Sequence, residues 1–267
     1  MATYNGERHL RQQLDSILEQ STGGWMLHVH DDGSSDGTSR VLASYAARDA
    51  RIVIHDYTPQ HGACANFLSL LQRVEARYYL FADQDDVWHP DKVRTEMAAM
   101  HQAEARHPGK PILVHSDLTV VDEDLSPIAP SFFRYSGLRP ERLCTFDKAV
   151  LPFVTGCTVL LNAAARQAMQ SPPSMVTMHD TWATLCTLRA GGEVVLVDKP
   201  LVKYRQHVGN TLGARDITTV NVGYRLRHLR QIINEHHAHY QMLRHLGYGS
   251  LLKYLRERVR YKFRMSH

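Results

Sequence analysis

Within ERHLRQQLDSILEQ the apolar residues Leu10, Leu14, Ile17 and Leu18 recur every three or four positions, which predicts an amphipathic helix over residues 7–20. WMLHVHDD alternates Trp25, Leu27 and Val29, the period of a strand ending at Asp31. GSSDGT reads as a turn, followed by a helix through Val41, Leu42 and Tyr45. RIVIHDY (51–57) predicts a strand, ANFLSLLQRVE (65–75) a helix and RYYLFAD (77–83) a strand. Pro90 is expected to open the next helix, PDKVRTEMAAMHQA. Strands that alternate with helices in this way imply an α/β protein with a mostly parallel central sheet and helices on both faces.

After Pro111 the pattern changes. ILVHSDLTVVDED (112–124) predicts a long strand, and SPIAPSFFRYSGLRPER (126–142) reads as loop. GCTVLL predicts a strand, DTWATLCTLRA a helix, and EVVLVDKPLVKYRQH a last strand ending near residue 207. The globular part is expected to span residues 1–213, as halves 1–110 and 111–213, with a helical tail over 214–267. In that tail Leu226, Leu229, Ile233, Tyr240 and Leu243 form one stripe. SLLKYLRERVRYKF sets Leu252, Leu255 and Val259 against Lys253, Arg256, Arg258, Arg260 and Lys262, so two amphipathic helices with cationic faces are expected. The opening MATYNG looks like the end of a strand whose earlier residues are missing. A sheet without its first strand is therefore expected, and with it a start codon placed too late.

Hydrophobic residues at 43% and charged residues at 22% of 267 are ordinary for a globular chain. The longest apolar runs, VLPFV and TVLLNAAA, are far too short to span a membrane. Cys64, Cys144, Cys157 and Cys186 lie far apart with no C-x-x-C pair. That excludes a zinc ribbon or a disulfide framework and fits a reducing cytoplasm, the expected location. The net charge of +4 conceals an asymmetry, with ten Lys/Arg and two Asp/Glu after residue 223 and 21 and 25 before it. The basic tail either packs on the domain with its charges solvated or attaches the protein to the anionic inner leaflet of a membrane. Nucleic acid is not an expected partner, because no reading module is present.

Two acidic stretches carry candidate chemistry. DDGSSDGT fits a strand-to-helix turn, but it also places Asp31 and Asp32 at the carboxyl end of a strand, where open α/β sheets bind ligands. A carboxylate there can accept the imide N3–H of uracil or thymine. A calcium loop is excluded, since the twelfth position is Leu42 or Ala43 and not a bidentate Glu. FADQDDVWHP gathers Asp83, Asp85 and Asp86 at another strand end. Three clustered carboxylates repel unless a cation offsets them, and Mg²⁺ or Mn²⁺ carrying a diphosphate has the right chemistry. Trp88 and Trp182 are read as core or pocket wall.

MATYNGERHLRQQLDSIL, DDGSSDGT, FADQDDVW, TGCTVLLN, MHDTW and YRQHVGNTLG occur in an order that resembles family 2 of the inverting glycosyltransferases, in particular the rhamnosyltransferase-like branch that builds bacterial surface polysaccharides. The likeness covers residues 1 to about 213. It implies a GT-A fold, a nucleotide-diphospho-sugar donor (dTDP- or UDP-linked), Mn²⁺ or Mg²⁺, and a glycan or lipid-linked glycan acceptor. By the same likeness Thr3, Tyr4, Asn5 and Glu7 line the nucleoside pocket, Asp31 with Asp32 holds the base, and Gln84 joins the donor site. Asp83 contacts the ribose or the metal, and Asp85 is the main metal ligand. Asp180 is the catalytic base, and Gly156 and Cys157 lie under the donor sugar and acceptor. His207 lies by the diphosphate as a further metal ligand, with Arg205 beside it. Each role has a structural alternative: Asp180 as a helix cap, His207 as a hydrogen-bonded structural histidine. Two other functions fit the same layout, a sugar-phosphate nucleotidyltransferase and a non-catalytic nucleotide-sugar binder. The first typically carries a Gly-rich run with Arg and Lys near its first strand, and MATYNGERHL has none.

Overall fold

The structure is a computed structural model that describes residues 1–143, 149–207, 214 and 227–265, the last five as backbone. In chain order its elements are β1 (Ala2–Thr3), α1 (Glu7–Leu18), β2 (Leu27–Asp31), α2 (Thr38–Ala46), β3 (Ile52–His55), α3 (Ala63–Arg73), β4 (Tyr78–Leu80), β5 (Val87–Trp88) and α4 (Lys92–Arg106). The second half follows with β6 (Ile112–Val121), β7 (Pro127–Ala129), α5 (Phe132–Tyr135), β8 (Leu160–Asn162), α6 (Ala163–Ala168), α7 (His179–Arg189) and β9 (Glu193–Arg205). The tail is α8 (Leu229–His245) and α9 (Leu251–Met265). Leu226 lies outside the described residues, as do Val208–Gly213 of the YRQHVGNTLG motif.

The strands form two sheets. One is the parallel set β1-β2-β3; the other runs β4-β8-β6-β9-β5, with β7 on β6. Parallel pairing holds within the first sheet and between β6 and β9. The remaining pairs are antiparallel, because β5, β7 and β8 are two- or three-residue segments returning against longer neighbours.

The expectation of a missing first strand is corrected. Ala2 pairs with His30 and Thr3 with Asp31, so β1 exists as a two-residue strand beside β2. The backbone of Met1 completes the pairing. Its amino group donates to the His28 carbonyl at 2.7 Å, and its carbonyl accepts the His30 N–H at 3.2 Å.

Alternation along β2 buries Leu27 and Val29 against Leu10, Leu14 and Leu42, which are fully or almost fully buried. Each such leucine stabilises the fold by about 1.5–3 kcal/mol. On the other side Phe67, Phe81, Leu113, Leu161, Trp182 and Leu185 form a second core. Trp88 and Trp182 are both buried, in keeping with their reading as core.

Three local expectations differ from the structure. Pro90 precedes its helix by two residues, because Ser21 N–H bonds the Pro90 carbonyl at 2.8 Å and Ser21 Oγ donates to Asp91 at 2.6 Å, holding those residues in a turn. Gly156–Thr158 is a 3₁₀ turn closed by Thr158 onto the Thr155 carbonyl, so the strand begins only at Leu160. The stretch read as loop contains β7 and α5, the latter capped by the Ser131 hydroxyl, which accepts the Arg134 N–H.

Candidate active site

The carboxyl ends of β1, β2, β4 and β9 and the first turn of α7 face one region. Thr3, closing β1, donates from its hydroxyl to Asp31 Oδ1 at 2.8 Å. Asp31 also accepts the Ser34 hydroxyl at 2.6 Å and the Ser34 N–H at 3.0 Å. Asn5 adopts a left-handed conformation (φ 47), which asparagine tolerates better than most residues. Its amide accepts the Ser35 N–H at 2.8 Å, while Glu7 accepts the Gly37 N–H at 2.8 Å. MATYNGE and DDGSSDGT are thus laced together. Tyr4 and Gln84 exchange two hydrogen bonds, of 2.8 and 2.9 Å, tying this unit to DQDD. A Cβ on Gly6 would fall 2.4 Å from Gln84 Oε1, which is why the chain turns there at a glycine. The Tyr4 side chain is 58% exposed at the rim.

Asp31 and Asp32 take different tasks. The two oxygens of Asp32 accept the backbone N–H groups of Gln60, His61 (3.1 Å) and Gly62 (2.7 Å). Asp32 therefore anchors the loop entering α3, while Asp31 braces the end of β1 and the turn at Ser34.

The three aspartates of DQDD also separate by role. Asp86 is fully buried; its Oδ1 accepts the Arg205 N–H at 3.2 Å, and its Oδ2 has no hydrogen-bond partner. Burial, with Asp85 and Asp83 close by, pushes its carboxyl well above the usual range. Burial likewise raises Asp83 to about 7, reinforced by Asp85 and Asp180. Asp85 Oδ2 lies 2.7 Å from His207 Nε2, and both side chains retain some solvent access.

Arg205 was expected at the diphosphate, but it faces inward. It is 1% exposed, and its guanidinium donates to the Asp85 carbonyl (2.7 Å), the Glu123 carbonyl and Gln12 Oε1 (2.6 Å). Buried guanidinium needs such a full set of acceptors, so Arg205 positions Asp85 from beneath.

A divalent ion fits one of two donor sets. Among the described residues, the three ligand atoms that lie within 4.8 Å of one another belong to Asp83, Asp86 and Cys157. That set includes a thiol that burial and Asp86 push further up, and soft sulfur suits Mg²⁺ and Mn²⁺ poorly. Asp85 with His207 offers a carboxylate and an imidazole already in contact, an oxygen and a nitrogen donor without a thiol. The expectation that Asp83 joins that pair around one point is not met by the side-chain positions, because Asp83 turns toward Asp86 and Cys157.

Asp180 is buried in the first turn of α7, where the Thr181 N–H donates to its Oδ1. Next to it, His179 stacks on Phe67 (ring centroids 4.3 Å apart), and burial lowers its pKa. His179 Nε2 has no hydrogen-bond partner. A Cβ on Gly156 would meet His179 Nε2 at 2.7 Å and lie 3.7 Å from Asp180 Oδ2, so glycine is required where these groups meet.

The sequence assigns no role to His179, marks Asp86 only as one of the acidic cluster, and gives no sign of His9, Gln12 or Glu123. His9 lies 5.1 Å from the His207 ring, and burial, with Arg205 and His207 beside it, lowers its pKa. His9, Gln12 and Glu123 stand singly on α1 and in the turn after β6, where no motif marks them. For Asp86, its place in an acidic run after an apolar strand was the available clue.

Comparison with known proteins places this geometry in context. The chain is 25% identical over 203 residues to the putative teichuronic acid biosynthesis glycosyltransferase TuaG of Bacillus subtilis (strain 168), covering 76% of each chain. It is 26% identical over 247 residues to the dTDP-rhamnosyl transferase RfbG of Shigella flexneri, covering 86% of this chain and 77% of that one. Among solved structures, the mannosyltransferase PcManGT of Pyrobaculum calidifontis, in complex with GDP-Man and Mn²⁺, superposes with a TM-score of 0.57 at 15% identity over 100% of this chain and 79% of that one. S. aureus TarS 1-349 in complex with UDP-GlcNAc gives 0.59 at 16% identity over 83% of this chain and 60% of that one. The chain spans 36% to 60% of the TarS structures it matches. Such neighbours identify the GT-A fold. The sequence model described as "Glycosyl transferase family 2" matches residues 1–166, and the chain belongs to that family.

Proposed function

We propose that this protein is a metal-dependent inverting glycosyltransferase, which transfers a sugar from a nucleotide-diphospho-sugar to a hydroxyl of a growing cell-surface glycan. The observation that carries the reading is the Asp85–His207 contact, with Asp83 close to both Asp85 and the buried Asp180. Asp31, Thr3, Asn5 and Glu7 form the nucleoside end. Asp85 and His207 would hold Mn²⁺ or Mg²⁺, which would supply positive charge to offset that developing on the leaving diphosphate.

Inverting transfer is one in-line displacement, so a single base must take the acceptor proton. Asp180 supplies that base. It sits in the first turn of α7, where its Oδ1 accepts the Thr181 N–H, and Gly156 leaves room beside it. A donor with a uracil or thymine base matches the carboxylate of Asp31, and rhamnose is the sugar suggested by the likeness to a dTDP-rhamnosyl transferase. The reaction takes place in the cytoplasm, on a glycan that is free or lipid-linked.

The test is nucleoside diphosphate release from UDP-, dTDP- and GDP-sugars with Mn²⁺ and an acceptor glycan, comparing wild type with Asp180→Asn. Turnover should fall about 10²–10⁴-fold in the variant while donor affinity is kept. Unchanged turnover would rule out Asp180 as the base, and loss of donor binding by every nucleotide sugar in wild type would overturn the reading.

A further inference from the structure

The tail helix α9 has two opposite faces. Tyr254 and Glu257 are buried toward the domain, and Arg258 donates to the Val150 carbonyl at 2.9 Å. On the other side Leu252 (77% exposed), Leu255 (49%) and Val259 (53%) form a stripe at spacings of three and four, which none of the described residues covers. At 100° per residue Arg256, Arg260 and Lys253 follow the stripe along one flank, and Arg258 lies on the other. Arg256 and Arg260 remain about 60% exposed, although both reach Glu257.

We infer that this face of α9 binds an anionic phospholipid surface, lying flat with its leucines among the acyl chains. Three arguments select that occupant. An exposed apolar stripe bordered by long cationic side chains matches the boundary between acyl chains and phosphates, where Arg and Lys extend toward the headgroups. A second copy of the chain would bring the same Arg rows against each other, and Glu257, the acidic residue of α9, is already engaged. A nucleic acid would engage the cations but leave the leucine stripe in water.

The attachment is also well placed. α8 and α9 dock on α7 and the segment before Gly156. Arg189 donates to the Leu246 carbonyl at 2.7 Å, Tyr248 to the Leu185 carbonyl at 3.1 Å, and His239 to the Ala149 carbonyl at 2.9 Å. The membrane face is therefore rigidly joined to the helix that carries Asp180. Among the described residues no helix is long and apolar enough to cross a bilayer, so the contact is interfacial.

The test is flotation of the full chain with neutral and with anionic phospholipid vesicles, at low and high salt. Wild type should float with anionic vesicles, less so as salt rises. Leu252→Glu/Leu255→Glu should reduce partition at least tenfold with its melting temperature and nucleotide-sugar affinity unchanged, since both leucines are surface residues. Arg256→Gln and Arg260→Gln should each weaken it about fivefold. The proposal is overturned if wild type does not float, or if the double leucine variant floats equally well. It is also overturned if wild type is a dimer that Leu255→Glu splits without any vesicle binding, or if a DNA duplex binds as tightly as the vesicles in both proteins. Retained donor turnover in a chain that does not float would sink this inference alone and leave the glycosyltransferase reading standing.

Discussion

Arg205 Nε donates to the carbonyl of Asp85 at 2.7 Å, joining the end of the last strand to an acidic turn 120 residues earlier. The carboxylate of the same aspartate meets His207, two residues beyond Arg205. One turn of chain thus holds the backbone of the metal-ligand candidate and faces its side chain. Replacing Arg205 with Lys removes the planar fork that reaches Gln12 and Glu123. Arg205→Lys should destabilise the protein by roughly 3 kcal/mol, the scale for breaking a buried charged network, and should weaken Mn²⁺ binding. Chemical denaturation and metal titration measure the two effects.

The adjacent aspartates of DDGSSDGT should respond differently. Asp32→Asn sets an amide donor against loop N–H groups and loses at least one hydrogen bond to a charged acceptor, at a cost of about 1.5–3 kcal/mol. Asp31→Asn keeps the stability closer to wild type but should weaken the nucleoside end. Melting curves and donor titrations on the two variants separate these roles.

Gly156→Ala would press a methyl group against the His179 ring beside Asp180. Overpacking there should cost about 1–3 kcal/mol, and displacement of Asp180 by even 1 Å should reduce turnover about 10²-fold. Turnover falling much further than donor affinity is the expected signature in steady-state kinetics.

The tail should loosen in acid. Burial holds the His239 imidazole down to about 4, against an ordinary 6.5, where it donates to the Ala149 carbonyl. Between those values the unfolded chain binds the proton and the folded one does not. Stability from this group is therefore complete above pH 6.5 and declines as pH falls toward 4, by about 3 kcal/mol in all. Hydrogen exchange across α8 and α9 should rise over that window, and His239→Gln should flatten the dependence.

Much of the fold could be read from hydrophobic period. The helices at Glu7–Leu18, Ala63–Arg73 and His179–Arg189 and the strands at Leu27–Asp31 and Ile112–Val121 lie where the apolar spacing put them. Short elements were less legible, because β7 and α5 are fixed by Ser131 and by pairing with β6, partners that no local window contains. The site divides the same way. Residues of one type clustered at strand ends, such as Asp31 and Asp85, announced themselves. Arg205 did not reveal its direction, since its acceptors lie on α1 and on the turns after β4 and β6. Asp83 could not be told from Asp85 by spacing, because they separate by direction, Asp83 grouping with Asp86 and Cys157 while Asp85 meets His207, partners that lie far away in sequence.

The central claim is that Asp85 and His207 hold the ion that carries the donor's diphosphate. Calorimetric titration of nucleotide sugar into wild type and Asp85→Asn, with and without Mn²⁺, tests it most directly. Burial raises the neighbouring Asp83 to about 7, so the titration is run well above that value. The account predicts tight donor binding only when Mn²⁺ and Asp85 are both present, with loss of either weakening it at least tenfold. Equal donor affinity in all four combinations would contradict it.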